Sequence, residues 1–152
     1  TIALHQDGPS YGIFFAMMHR HGFFLHASSD FKSIGKTEGN CDKDGIIAQT
    51  NDKPYYTGKT RHSNYTMTVG AIHHIYKSLR LFEGIGYGRT ATAWQLGESE
   101  GGGYLLNDGL THKGVAGELG ILGSIGRLTL SASAITIAGK QWQGSIGIGI
   151  KL

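Results

Sequence analysis

The stretch Trp142-Gln143-Gly144-Ser145-Ile146-Gly147-Ile148-Gly149-Ile150-Lys151-Leu152 alternates without a break. Trp142, Ile146, Ile148, Ile150 and Leu152 share one face; Gln143, Ser145, Gly147, Gly149 and Lys151 share the other. Successive strand side chains point to opposite faces, so this period of two predicts a strand over 142–152. One face is large and apolar, and the other is small or polar. A soluble barrel turns its large apolar groups inward, whereas a barrel in a bilayer turns them outward.

Composition narrows the choice. Gly supplies 25 of the 152 residues, against a usual share of about 7%. With only two Pro and no repeat, that excess excludes collagen and argues against a disordered tail. Gly suits the crowded inner face of a narrow barrel and the points where strands bend. No window reaches the roughly 18 consecutive apolar residues of a membrane helix. The mean hydropathy of −0.16 excludes a helical membrane protein. It does not exclude a barrel, whose strands are only half apolar. The net charge of +3 is modest, and Lys and Arg fall mostly in loops and strand ends, so no nucleic acid partner is expected. The single cysteine, Cys41, has no internal disulfide partner.

Outward from the last strand, the same alternation recurs over 10–18, 23–31, 59–72, 79–96, 113–125 and 128–137. A shorter alternating piece occupies 1–5, which brings the expected strand count to eight. Turns are expected at 19–22, 73–78 and 126–127, and loops at 6–9, 32–58, 97–112 and 138–141. Short connections thus alternate with longer ones. Short periplasmic turns and long external loops are the pattern of outer-membrane barrels. The expectation is one domain over 1–152. Its fold class is all-β: an eight-stranded antiparallel up-and-down transmembrane barrel in the bacterial outer membrane, with both termini periplasmic. Phe14, Phe24, Phe82, Leu122, Glu118 and Arg80 have inward parity and are expected to fill a lumen too narrow for diffusion. Tyr11, Trp94 and Trp142 are expected in an interfacial aromatic girdle. Glu83 has outward parity, and a bulge near Phe82–Gly84 is expected to turn it inward. If it faces outward, it meets a partner protein rather than lipid.

Ser145, Gly147, Ile150 and Leu152 resemble the C-terminal signal of bacterial outer-membrane barrels, with Leu152 where that signal usually ends in an aromatic residue. Asp7-Gly8-Pro9-Ser10-Tyr11-Gly12, Arg20-His21-Gly22-Phe23, Gly84-Ile85-Gly86-Tyr87-Gly88-Arg89 and Gly126-Arg127-Leu128-Thr129-Leu130-Ser131-Ala132 are similar to motifs of the small outer-membrane barrels of the Bacteroidota. That resemblance implies the fold and the location, and carries no activity, since many such barrels have none assigned. Barrel export requires a signal, so a mature or trimmed form is expected; some such barrels carry periplasmic N-terminal repeat domains, and the short first strand fits the barrel portion of a longer protein, with that strand truncated.

Candidate chemistry is sparse. Asn40, Asp42 and Asp44, followed by Gly45, match the first half of a calcium loop. The twelfth position is Asn51 rather than a bidentate Glu. The other reading of these residues is an Asp/Gly-rich surface turn. His19, His21, His73 and His74 sit in two expected turns on one rim, which suits either zinc or polar groups at headgroup level. His62-Ser63-Asn64 is one residue shorter than the His-x-Ser-Asn motif of barrel deacylases. His26, Ser28 and Asp30 form an inward row suited to acid/base work or to hydrogen bonding within the barrel. No catalysis is expected. The expected role is an anchor or accessory subunit, surrounded by outer-membrane lipid, whose loops meet another outer-membrane protein or a surface glycan. The alternatives are a lipid-modifying barrel enzyme and a soluble lipocalin-like ligand binder.

Overall fold

The computed structural model describes residues 1–5, 8–18, 21–47 and 49–150. Gln6 and Asp7 of the first expected loop, His19 and Arg20 of the first expected turn, and the terminal Lys151 and Leu152 lie outside the described residues. In chain order the strands are β1 (Ile2–His5), β2 (Gly8–Met18), β3 (His21–Ser29), β4 (Gly39–Cys41), β5 (Tyr56–Tyr76), β6 (Leu79–Leu96), β7 (Tyr104–Asn107), β8 (His112–Ile125), β9 (Leu128–Ile137) and β10 (Gln141–Ile150). A single 3-10 turn covers Glu98–Glu100.

The protein is therefore all-β, with ten described strands where the alternation pattern leads to eight. Antiparallel pairing runs from β1 to β2, β3, β5, β6, β8, β9 and β10, and β10 pairs back onto β1. This circuit gives each of its strands a neighbour on both sides. The two additional strands stand outside it. β7 lies antiparallel on the far end of β6, and β4 lies parallel on β7. Both belong to segments whose sequence reads as loop, because three or four residues are too few to display a period.

The alternation sorts side chains as the stereochemistry of a strand requires. Phe24, Ile72, Phe82 and Leu122 are buried inside, with Phe14 and Ala16 packed against them. The three phenyl rings meet at centroid distances of 5.0–5.2 Å, a favourable range for aromatic pairs. Glycine makes room for two of them. A Cβ on Gly84 would come within 2.5 Å of Phe24, and one on Gly120 within 2.4 Å of Phe82. Here the glycines serve ring packing, since neither has a positive φ.

The outer wall is apolar. Ile13 and Ile148 are 78% and 74% exposed, and Phe15, Val69, Ile85, Val115 and Ile121 stand open on the same face. Water would not sustain such a continuous apolar wall.

Three expectations need correction. First, β5 continues through His73 and His74 to Tyr76, so both histidines belong to a strand. The connection shrinks to Lys77 and Ser78, where Lys77 takes a φ of 43°. Second, no bulge turns Glu83 inward. The β5–β6 register runs unbroken through Ile72↔Phe82, Ala71↔Glu83 and Gly70↔Gly84. Glu83 points outward, 3.5 Å from His73 Nε2 on the neighbouring strand. That imidazole is the partner that a reading of β6 alone does not supply. Third, Trp94 leaves the outer wall. It shares parity with Thr90 and Thr92 and packs edge-on against Tyr56 at 5.3 Å.

Candidate functional site

Three polar levels lie along the inside of the circuit. The lowest rests on the phenyl cluster. Glu118 is buried, and its carboxyl accepts from His26 Nδ1 at 2.9 Å, from Ser133 Oγ at 2.7 Å and from Thr68 Oγ1. His26 Nε2 lies 2.8 Å from Thr1 Oγ1. A hydroxyl, an imidazole and a carboxyl thus follow one another in the order used by nucleophilic enzymes. Thr1 borders an inner void of about 60 Å³, bounded by Phe14, Leu122 and Ser131 among others, and an apolar groove of about 380 Å³ on the wall between Leu130, Ile146 and Ile148. The bonds of His26 and Glu118 to Thr1, Thr68 and Ser133 tie the strands together across the inside of the circuit.

The second level is centred on Asn64. Its Oδ1 accepts from Thr90 Oγ1 and Gln143 Nε2, each at 3.1 Å, and its Nδ2 donates to Ser10 Oγ at 3.2 Å. Ser28 Oγ and Thr66 Oγ1 meet beside it at 2.7 Å. Asp30 Oδ1 accepts from the Lys32 backbone N–H at 3.0 Å. The inward row His26, Ser28 and Asp30 therefore goes to three separate partners and does not converge.

The third level is the open mouth at the loop end, a cavity of about 460 Å³. His62 and Thr92 project into it from β5 and β6 and His112 from the start of β8, while Lys140 of the β9–β10 connection and Gln141 of β10 border it, with Trp142 at the rim. Trp94 closes one side. His62 is held by Thr92 Oγ1 at 3.1 Å and Thr60 Oγ1 at 2.9 Å. As period two requires, His62 and Ser63 face opposite ways, so they form no nucleophile–base pair. The mouth escapes a linear reading because its residues come from four separate stretches. The signal available was parity: Thr92 and Trp94 continue the inward series of Gly84, Gly86 and Gly88.

Beside the mouth stands a folded platform. Ile34, Ala91 and Ala93 are buried together, with Tyr104 and Leu106 against them. The Arg61 guanidinium lies 3.8 Å above the Tyr104 ring, and its Nη1 donates to Ile34 O at 3.3 Å. A second cluster joins Cys41, Leu96 and Leu105, with Ile47 and Tyr56 packed on it. The candidate calcium ligands lie at its edge. Asp42 Oδ1 accepts from the backbone N–H groups of Asp44 and Ile46 at 2.9 and 2.8 Å. The Asn40 amide donates to the Asp108 carboxylate at 3.1–3.2 Å. These bonds hold the loop in its turn. Among the described residues, no group of three or more His, Cys, Asp or Glu is placed to share a metal ion. His21 and His73 meet edge-on at 5.8 Å, while His74 Nε2 donates to Lys77 O at 2.9 Å.

Burial pushes the Cys41 thiol up from its ordinary value of 9.0, and burial likewise raises the Tyr56 phenol above 10.0. Both acids are neutral when protonated, and folding holds their protons more tightly. Their contribution to platform stability is therefore complete below pH 9 and declines as pH rises above it. At pH 8 Cys41 is expected to react with a maleimide at least about tenfold more slowly than a free thiol, because thiolate is the nucleophile. Denaturant should abolish the difference. Equal rates in the folded and unfolded protein would show that the cluster is open.

Among solved structures, the crystal structure of Neisserial surface protein A is similar to this one, with a TM-score of 0.46 and 14% identity over 99% of this chain and 90% of that one. No protein-family model and no curated protein matches the sequence.

Proposed function

We propose that the chain is an eight-stranded up-and-down transmembrane barrel of the bacterial outer membrane. In this reading β4 and β7 are an external appendage, the termini and short turns are periplasmic, and the lumen does not conduct. The observation that carries it is the inversion of polarity. Large apolar side chains cover the outer wall, and Ser, Thr, Asn, Glu and Gly occupy much of the inside. A soluble lipocalin-like barrel needs the reverse. Tyr11, Phe31, Tyr65, Tyr87 and Trp142 stand exposed on the outer wall toward the loop end, where an interfacial girdle belongs. The phenyl cluster and the carboxyl network fill the bore. The platform fits an anchor that presents a rigid surface to another outer-membrane protein or to a surface glycan, and no catalysis is assigned to it.

Extraction of native outer membranes in mild detergent tests this. The expected result is a folded species that changes mobility on a gel only after heating, has no pore activity in planar bilayers, and retains its partner on affinity purification. Recovery in the soluble fraction overturns the membrane assignment. Steady ion conductance overturns the plugged lumen, and the absence of any partner or glycan overturns the anchor role.

A further inference from the structure

We infer that the mouth at the loop end is a binding site for an acidic saccharide, a sugar chain bearing carboxylate groups. The inference rests on the barrel reading, which places this end of the molecule outside the cell. Mouths of β-barrels are recurrent ligand sites, and about 460 Å³ lies within the range of small-ligand pockets.

The lining selects the chemistry. Of the two tryptophans in the chain, Trp94 lines the cavity and Trp142 edges its rim from an outward-facing position. Aromatic faces of this kind suit the apolar C–H faces of a sugar ring. Around the cavity are groups that exchange hydrogen bonds with hydroxyls: the His112 imidazole and the Gln141 amide, whose Oε1 is buried with no partner in the protein. Thr60 and Thr92 fix the His62 ring, so one side of the site is organised before any ligand arrives. Among the described residues, the full charge on the lining is Lys140, and no carboxylate borders the cavity. This balance favours an anion whose charge is dispersed among hydroxyls. A phosphate site would instead call for several cations or a cradle of backbone N–H groups, and a single lysine among amide, hydroxyl and imidazole groups supplies neither.

Trp94 makes the test direct: in a Trp142→Phe background, tryptophan fluorescence comes from the one indole that closes a side of this cavity. The full chain, refolded in detergent and checked for heat-modifiable mobility, is titrated with oligogalacturonate, with neutral maltohexaose, with inorganic phosphate and with adenosine monophosphate. Calorimetry runs in parallel. A saturable signal with oligogalacturonate is expected, and affinity for maltohexaose at least about tenfold weaker, as the loss of one charge-assisted hydrogen bond implies. Lys140→Gln should weaken acidic-sugar binding by a similar factor and leave gel mobility unchanged. Trp94→Phe should weaken acidic and neutral sugars alike. Equal binding of neutral sugar, or tighter binding of phosphate or the nucleotide, overturns the inference. So does the absence of any saturable response in protein that passes the gel test. Failure of the gel test itself falls on the barrel reading.

Discussion

Glu118→Ala is expected to destabilise the protein by about 3–5 kcal/mol, the range for removing one partner of a buried ionic or hydrogen-bonded pair. The carboxyl collects donors from three strands: His26 on β3, Thr68 on β5 and Ser133 on β9. Its loss leaves all three facing an apolar void above the phenyl cluster. Glu118→Gln should fall between wild type and Ala, because an amide offers one oxygen where the carboxyl offers two. The measurement is unfolding by guanidinium in lipid vesicles, followed by gel mobility. A double-mutant cycle with His26→Ala should show coupling, the double variant costing clearly less than the sum of the singles. Strict additivity, or a loss below about 1 kcal/mol for Glu118→Ala, would mean that the network does not bind the strands together.

Val69→Arg carries the second large effect. Val69 faces outward between Leu25 and Ile85. Near the midplane of a bilayer, Arg on the lipid face costs about 2–4 kcal/mol. On a water-exposed wall the same change stays within about 0.5 kcal/mol. The same unfolding assay therefore separates the membrane reading from the soluble one without locating the protein in a cell. Glu83→Leu supplies the opposite sign. Glu83 is the described carboxylate set in this apolar band, paired only with His73 at 3.5 Å. Its replacement should leave stability unchanged or raise it by about 1 kcal/mol in vesicles. A clear loss instead would mean that the Glu83–His73 contact, or a protein seated against it, outweighs the cost of placing a carboxylate in lipid.

The sequence discloses what local stereochemistry decides. Parity assigns Phe14, Phe24, Phe82, Leu122 and Glu118 to the inside because alternation needs no knowledge of neighbours. It cannot say which groups meet. Glu118 and His26 are far apart in the chain, and their contact depends on the register of the whole circuit. Glu83 illustrates the same limit: judged on β6 alone it demands a bulge, whereas its partner is on β5. Strand ends failed for a different reason. His73 and His74 are polar and resemble a turn, yet the pairing with β6 carries β5 past them to Tyr76. β4 and β7 left no trace because their order derives from the apolar contacts of Ile34, Cys41 and Leu105 with the β6 extension. The mouth was divided among stretches that only closure brings together.

The uneven heights of the strands have a further consequence. On one side, residues 56–63 of β5 rise beyond the Asn64 level by about 25 Å along the strand. On the opposite side, the rim ends in the short connection at 138–140 between β9 and β10. The mouth is thus walled on one flank and low on the other. Lys140 and Trp142 stand at the low flank, away from the raised end of β5. A slender chain can lie across that sill, whereas a bulky globular surface meets the platform first. On the proposed reading, this difference in height favours thin polymers at the cavity and broad proteins at the raised flank.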